Sequence, residues 1–287
     1  MENLLLGLSQ GATIAMAAVG FTLIWKVSGV VNLSLGAYFV GGGLLSWAFD
    51  SEIGLPLLTS VSLAVAIGSL VAFVLQMRVI TVLTQRPIFY NIVLTYALGL
   101  GMTGLLGVIL SADYRSIPTF MSTLYFLQGS FTLSLLVPLS IALAIFATVA
   151  VVLLSERTAF GLMARAVSAD KTLATLTGVK SSKVVAITAA LAAGMATLGG
   201  SVYAMSSPLS SGSFQQITLY IASSAIIGGL GSLWRSFFVA IGLVALGSTL
   251  SLLAPTGLID IVILVLMVLV LSRRYDIWPR KHIWSRW

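Results

Sequence analysis

The sequence predicts an all-α fold, a polytopic transmembrane helix bundle, and three observations carry that prediction. Only 8% of its 287 residues are charged and 59% are hydrophobic, against roughly 45–50% apolar usage in soluble domains. The charges sit almost entirely in gaps between apolar runs of about twenty residues, the length that spans a bilayer core as a helix. Water cannot satisfy backbone N–H and C=O groups in hydrocarbon, so such runs must be helices packed on other helices. With no long polar insertion, residues 1–287 read as a single transmembrane domain. Cysteine is absent, which removes disulfides, thiolate metal sites and a cysteine nucleophile.

The elements follow in order. The first run, Leu4–Ile24, begins too near Met1, lacks a basic leader and is too long for a cleaved signal, so it reads as a retained span. Further spans are expected at Val30–Phe49, Leu57–Met77, Ile88–Leu110, Leu133–Leu154 and Val184–Met205. Ile217–Leu253 is interrupted by Gly228-Gly229-Leu230-Gly231 and then Trp234-Arg235, which reads as a short segment, a break and a fuller span. Leu258–Leu271 closes the set, giving about 8–9 membrane segments.

Lysine and arginine set the expected orientation, because short loops rich in them stay cytoplasmic. Arg78 and Arg86 flank one gap; Glu156 to Lys183 carries Arg157, Arg165, Lys171, Lys180 and Lys183; the tail holds Arg273, Arg274, Arg280, Lys281 and Arg286. Lys26 and Arg235 join them if the broken segment crosses. The alternate gaps hold Asp50 with Glu52, Asp113 with Arg115, and the uncharged Ser206–Gln216. The expectation is an N-terminus outside and a C-terminus inside. Trp278, Trp284 and Trp287 among the tail's basic residues suit an interfacial anchor better than nucleic acid, and the lone His282 there makes no metal site.

Packing between membrane helices relies on close backbone approach, since lipid solvates apolar side chains as well as a protein does. Gly7, Gly11 and Ala15 supply a small-residue face on the first span, and Ala196 with Gly200 repeat the spacing on the sixth. In the largest basic gap, Leu162, Ala166, Ala169, Leu173 and Leu176 recur at three- and four-residue steps. They line one expected apolar face, with Arg165, Ser168, Lys171, Thr172 and Thr175 opposite. Asp170 is placed to cap a second short helix from Lys171, and Gly178 to end it.

On these residues the chain resembles the branched-chain amino acid permease family, the integral membrane subunits of ABC importers. The most specific part is Arg157-Thr158-Ala159-Phe160-Gly161, with Arg165, Ala166, Asp170, Ala174 and Gly178, which looks like the family's ATPase-coupling loop within 155–183. Val30-Val31-Asn32-Leu33-Ser34-Leu35-Gly36 and Ile227-Gly228-Gly229-Leu230-Gly231-Ser232 match as well. The resemblance implies a prokaryotic plasma (inner) membrane protein that pairs with a second homologous permease subunit. It also implies two cytoplasmic ATP-binding subunits and an extracytoplasmic substrate-binding protein as partners. Relatives place histidine and often glutamate where this chain has Leu35 and Ala37, and tend to have proline and glycine at Trp234 and Arg235. Those departures leave amides, urea or aromatic acids open beside branched-chain or other amino acids.

No G-x-x-x-x-G-K-[ST] motif is present, so ATP hydrolysis is expected on separate chains and no cofactor or metal on this one. No span carries an unambiguous buried charge, which argues against proton-coupled carriage. The candidate substrate pathway is then polar and uncharged: Asn32, Ser34, Tyr38, Asn91, Thr95 and Tyr96, with Thr13 deeper in the first span and Gln215 and Gln216 near the outer mouth. For each, an interhelical hydrogen bond is the competing role. Asp260 is expected to cap the last helix. An autonomous channel or secondary transporter, or a non-transporting anchor, are the other classes the sequence allows; conduction by the isolated chain separates a channel from a permease that needs its ATPases.

Overall fold

α1 (Glu2–Ser28) and α8 (Ser181–Ser206) form the axis of the bundle, because among the long apolar helices of the described residues these two are mostly buried, 72% and 78% against 17–33% for the rest. The computed structural model describes residues 2–80, 88–110, 112–118, 123–126, 131–251 and 256–273. Around the axis lie α2 (Leu35–Trp47), α3 (Leu57–Leu75), α4 (Ile88–Leu110), α5 (Leu136–Arg157), α9 (Phe214–Gly228), α10 (Leu233–Leu250) and α11 (Thr256–Arg273). Two short helices, α6 (Ala159–Ala169) and α7 (Lys171–Leu176), sit at one end. Among the described residues, six helices are long and apolar enough to cross a membrane: α1, α3, α4, α5, α8 and α10.

Small residues bring the backbones together. Gly11 lies under Ile241 of α10, where a Cβ would come within 2.8 Å of its Cα, and a Cβ at Gly20 would come within 2.9 Å of the Ala192 carbonyl oxygen of α8. A Cβ at Gly200 would run into the Phe39 carbonyl of α2. Ala15 and Ala196 are fully buried. The expected small-residue faces of the first and sixth spans are therefore the contact faces. Buried hydroxyl pairs tie helices across hydrocarbon: Ser9 of α1 with Ser140 of α5 (2.9 Å), Thr22 of α1 with Ser236 of α10 (2.8 Å) and Ser46 of α2 with Ser201 of α8 (2.8 Å). On α3 the pattern of a soluble helix is inverted. Ser60, Ala64, Gly68 and Ala72 face inward while Leu58, Leu63, Leu70 and Val74 face out, as helices solvated by lipid do.

Charge separates the two ends of the bundle. Lys26, Arg157, Arg165, Lys171, Lys180, Lys183 and Arg235 gather where α1 ends and α6 and α7 lie, since Ser168 of α6 bonds the Lys26 carbonyl and Ser236 bonds Thr22. Asp113 and Arg115 pair at 3.5 Å at the opposite end, where Arg115 also stacks 4.5 Å from the Trp47 ring and bridges to Leu209 through its backbone.

Several expectations are corrected. Val30–Phe49 is not one helix: residues 29–34 are non-helical and only Leu35–Trp47 is α-helix, continued by a wider turn through Glu52. Gly29, with φ +66, breaks the chain away from α1, a conformation glycine takes without steric cost. Leu133–Leu154 begins late, at Leu136, because Phe131–Ser134 is a strand paired antiparallel with Thr123–Phe126. Both strands carry aromatic and β-branched residues, the types that strands favour. The segment interrupted at Gly228–Gly231 is the short helix, break and fuller helix the sequence predicts, with Gly229 and Gly231 at φ +94 and +113. Arg86, the tail from Arg274 onward with its tryptophans and His282, and the stretch 252–255 lie outside the described residues.

Candidate functional site

Two regions hold the residues that the sequence singles out. The first is the non-helical segment between α1 and α2. Its backbone lies among helices without the hydrogen bonds of a helix, so side chains must satisfy it. The Asn32 Oδ1 accepts from the Ser34 N–H (3.1 Å) and the Ser34 hydroxyl (2.6 Å), fixing the turn into α2. Thr95 Oγ1 of α4 accepts from the Leu33 N–H (3.2 Å), donates to the Asn91 carbonyl one turn back (2.8 Å) and lies 3.3 Å from the Val31 carbonyl. One threonine thus replaces part of a missing ladder.

Asn91, only 3% exposed, stands on the same face of α4, and its Oδ1 has no hydrogen-bond partner. Tyr96 packs its ring 5.5 Å from Phe214 of α9, and Gly99 lets that ring and the Ser34 backbone close over α4. Asn32, Ser34, Asn91, Thr95 and Tyr96 are therefore brought together. Tyr38 is apart from them, one turn into α2 within the main apolar cluster beside Phe39 and Leu35. Thr13 is fully buried and bonds the Gln10 carbonyl of its own helix. Gln215 and Gln216 are exposed at the start of α9.

The second region is the α6–α7 pair. Thr158 caps α6 by accepting from the Gly161 N–H at 3.2 Å. Gly161 lies against the Ser155 carbonyl so closely that any side chain there would collide with it. Arg165 reaches back to donate to the Ser155 (2.6 Å) and Glu156 (3.3 Å) carbonyls, satisfying the end of α5. Asp170 ends α6 and caps α7, its Oδ1 accepting from Thr172 N–H (2.7 Å) and Leu173 N–H (3.0 Å). Gly178, at φ +90, closes α7 with the Val179 N–H bonded to the Ala174 carbonyl at 3.0 Å. Ser168 donates to the Lys26 carbonyl at 2.6 Å, and Thr175 pairs with Ser181 of α8 at 2.9 Å. Both short helices are fastened to their neighbours at several points.

The buried face of this pair differs from the expected one. Ala164, Val167 and Ala174 pack on Val27, Val184 and Val185, and Gly161 is buried against the Ser155 carbonyl. The row Leu162, Ala166, Ala169, Leu173 and Leu176 is exposed instead, with Leu162 64%, Leu173 60% and Leu176 79% accessible. The physical reason is the same close approach that orders the spans: small side chains let α6 lie on the ends of α1 and α5, and the bulky leucines are left outward. Arg157 is exposed at the end of α5.

Asp260 is not a cap. It lies in the second turn of α11, facing Gln216 and Tyr220 of α9. Spacing gave no sign of this, since the three residues meet only through the parallel packing of α9 and α11; an ionisable residue inside an apolar run was the available signal.

A family model described as branched-chain amino acid transport system, permease component, matches residues 3–271. The high-affinity branched-chain amino acid transport system permease protein BraD of Pseudomonas aeruginosa is 26% identical over 250 residues, covering 81% of this chain and 80% of that protein. The fructose import permease protein FruF of Bifidobacterium longum is 25% identical over 236 residues, covering 81% of this chain and 64% of that protein. No solved structure matches the chain.

Proposed function

The chain belongs to the permease-component family of branched-chain amino acid transport systems, and from that premise we propose that it is the membrane subunit of an ABC importer moving a small polar organic solute inward by alternating access. It is a multi-pass protein of the inner membrane. ATP hydrolysis falls to two cytoplasmic partner chains, a second homologous permease completes the pore, and an extracytoplasmic binding protein delivers the solute. In this reading the basic end of the bundle is cytoplasmic, the N-terminus lies outside and the C-terminus inside, and α2 and α9 count among 8–9 membrane segments.

One observation carries the proposal: the α6–α7 pair is rigidly fastened yet keeps an unpartnered row of leucines exposed beside basic residues. Bulky apolar side chains exposed at the polar end of a membrane protein belong against another protein. Arg165, Gly161 and Ser168 join that surface to the ends of α5 and α1, so a push on the leucines moves the central helix as a rigid body. Asp170 and Gly178 keep the two helices distinct. The break at Asn32–Ser34, with Thr95, Tyr96 and the free Asn91 Oδ1, is where the moving helices meet the solute path, and Tyr38 lines its continuation along α2.

An amino acid is the leading solute, supported by the family description and by BraD, with a sugar represented by FruF. The test is reconstitution in liposomes with the partner permease, ATPases and binding protein. ATP-dependent uptake that requires all of them supports the reading; solute flux through this chain alone overturns it.

A further inference from the structure

At the end of the bundle opposite α6 and α7, a cavity of about 180 Å³ opens between α1, α8, α9, α10 and α11. A protein cavity of ~150 Å³ accepts a benzene-sized ring, so this one has room for one small organic molecule. Gln216 and Ser251 on its lining are exposed, so it communicates with that surface.

The lining is polar but uncharged. Gln10, Tyr203, Gln216, Tyr220, Ser248 and Ser251 face the cavity, with Ile14, Ile217 and Val244 as its apolar wall. Among the described residues it carries no carboxylate, ammonium or guanidinium. The charged groups at this end lie outside it: Arg115 pairs with Asp113 at 3.5 Å and sits over the Trp47 ring, and Asp260 of α11 is not part of the lining.

Both kinds of hydrogen-bonding group are open there. The Gln10 amide N–H donates to Ser207 at 2.6 Å, which leaves the Gln10 Oε1 as an acceptor. The Ser251 hydroxyl donates to the Ser248 carbonyl at 2.8 Å and keeps its lone pairs. The Tyr220 and Ser248 hydroxyls make no hydrogen bond among the described residues, so each keeps a donor. Two glycines make room for them. A Cβ at Gly247 would come within 3.0 Å of the Tyr220 hydroxyl, and one at Gly7 within 2.8 Å of the Ser248 Oγ.

These features select a ligand class. Burying a full charge requires a counter-charge, and the lining supplies neither sign. Its polar groups approach from α1, α8, α9 and α10, so a ligand with a single polar head leaves some of them unpaired, each at a cost. A hydroxyl both donates and accepts. A polyol carries one on every carbon and turns its C–H groups to Ile14, Ile217 and Val244.

We propose that this cavity binds a small uncharged polyol, whose hydroxyls accept from Tyr220 and Ser248 and donate to Gln10 and Ser251. The site is separate from the break before α2, and the inference stands without the importer reading, because binding is measured on this chain alone. The probe is xylitol, titrated on the full chain in nanodiscs by saturation-transfer NMR. Two analogues with a charge at one end, xylonate and the matching protonated amino alcohol, are titrated beside it.

The expected result is saturable xylitol binding, with both charged analogues at least tenfold weaker. Tyr220→Phe and Ser248→Ala each delete one oxygen, and each is expected to weaken binding about three- to tenfold while the unfolding temperature shows the chain still folded. Affinity is expected to be equal in phosphatidylcholine and phosphatidylglycerol nanodiscs. No saturable binding, equal binding of either charged analogue, or unchanged affinity in both folded variants overturns the proposal. So does loss of binding in phosphatidylglycerol, which assigns the cavity to a lipid headgroup. Xylitol binding by a chain that transports nothing with its ATPases upholds the site and contradicts the importer reading alone.

Discussion

The Ser168 hydroxyl donates to the Lys26 backbone carbonyl across 2.6 Å, fastening α6 to the last turn of the central helix α1. A side chain bonded to a carbonyl of a helix C-terminus fills one of the acceptors a helix leaves unpaired there. It also makes α6 and α1 move together. Ser168→Ala is expected to lower stability by about 1 kcal/mol or less while reducing solute moved per ATP hydrolysed. Paired uptake and phosphate-release assays check it; unchanged coupling contradicts it.

Removing the Asp170 carboxylate strips two N–H groups of their acceptor. Asp170→Ala is expected to cost about 0.5–2 kcal/mol of local helix stability, read as faster hydrogen exchange at Thr172 and Leu173. Gly178→Pro removes the N–H bonded to Thr175 and the φ that proline cannot adopt. Both variants are expected to insert normally and to hydrolyse ATP without proportionate transport.

Which of these features were legible beforehand follows from their range. The Asp170 cap, the Gly178 terminus and the Gly228–Gly231 break are local rules of backbone chemistry, and each stands where spacing puts it. The buried face of α6 was not legible, because that helix is apolar on two sides. Periodicity selects the leucines, whereas packing selects Gly161, Ala164 and Val167 for their size. The break at residues 29–34 hides for a related reason: Val30, Val31 and Leu33 are as apolar as helix residues, and only Thr95, 62 residues on from Leu33, shows where their backbone groups go. Asn32, Asn91 and Thr95 were found as polar residues in apolar runs, but their meeting is tertiary, as is that of Asp260 with Gln216.

Glycine substitutions discriminate close contact from lipid exposure. Gly200→Ala drives a methyl into the Phe39 carbonyl and is expected to destabilise by about 1–3 kcal/mol, the cost of overpacking. Gly101→Ala meets nothing within 4 Å and is expected to be neutral or to stabilise by a few tenths of a kcal/mol through helix propensity. Thermal unfolding in detergent compares them; equal effects contradict the packing described.

Charge on the exposed row tests its role apart from its folding. Leu173→Asp with Leu176→Asp alters only outward side chains, so expression and unfolding temperature are expected to stay near wild type. Retention of the ATPases on the purified subunit is expected to fall to background. Full retention contradicts a docking role.

The most direct test uses the absence of cysteine from the chain. Leu176→Cys supplies one thiol on a side chain that is 79% exposed, and a membrane-impermeant maleimide reports its side and its cover. The account predicts labelling in inside-out but not right-side-out vesicles, and protection once the ATPases bind. Labelling from the outer side, or labelling that the bound ATPases leave unchanged, contradicts it.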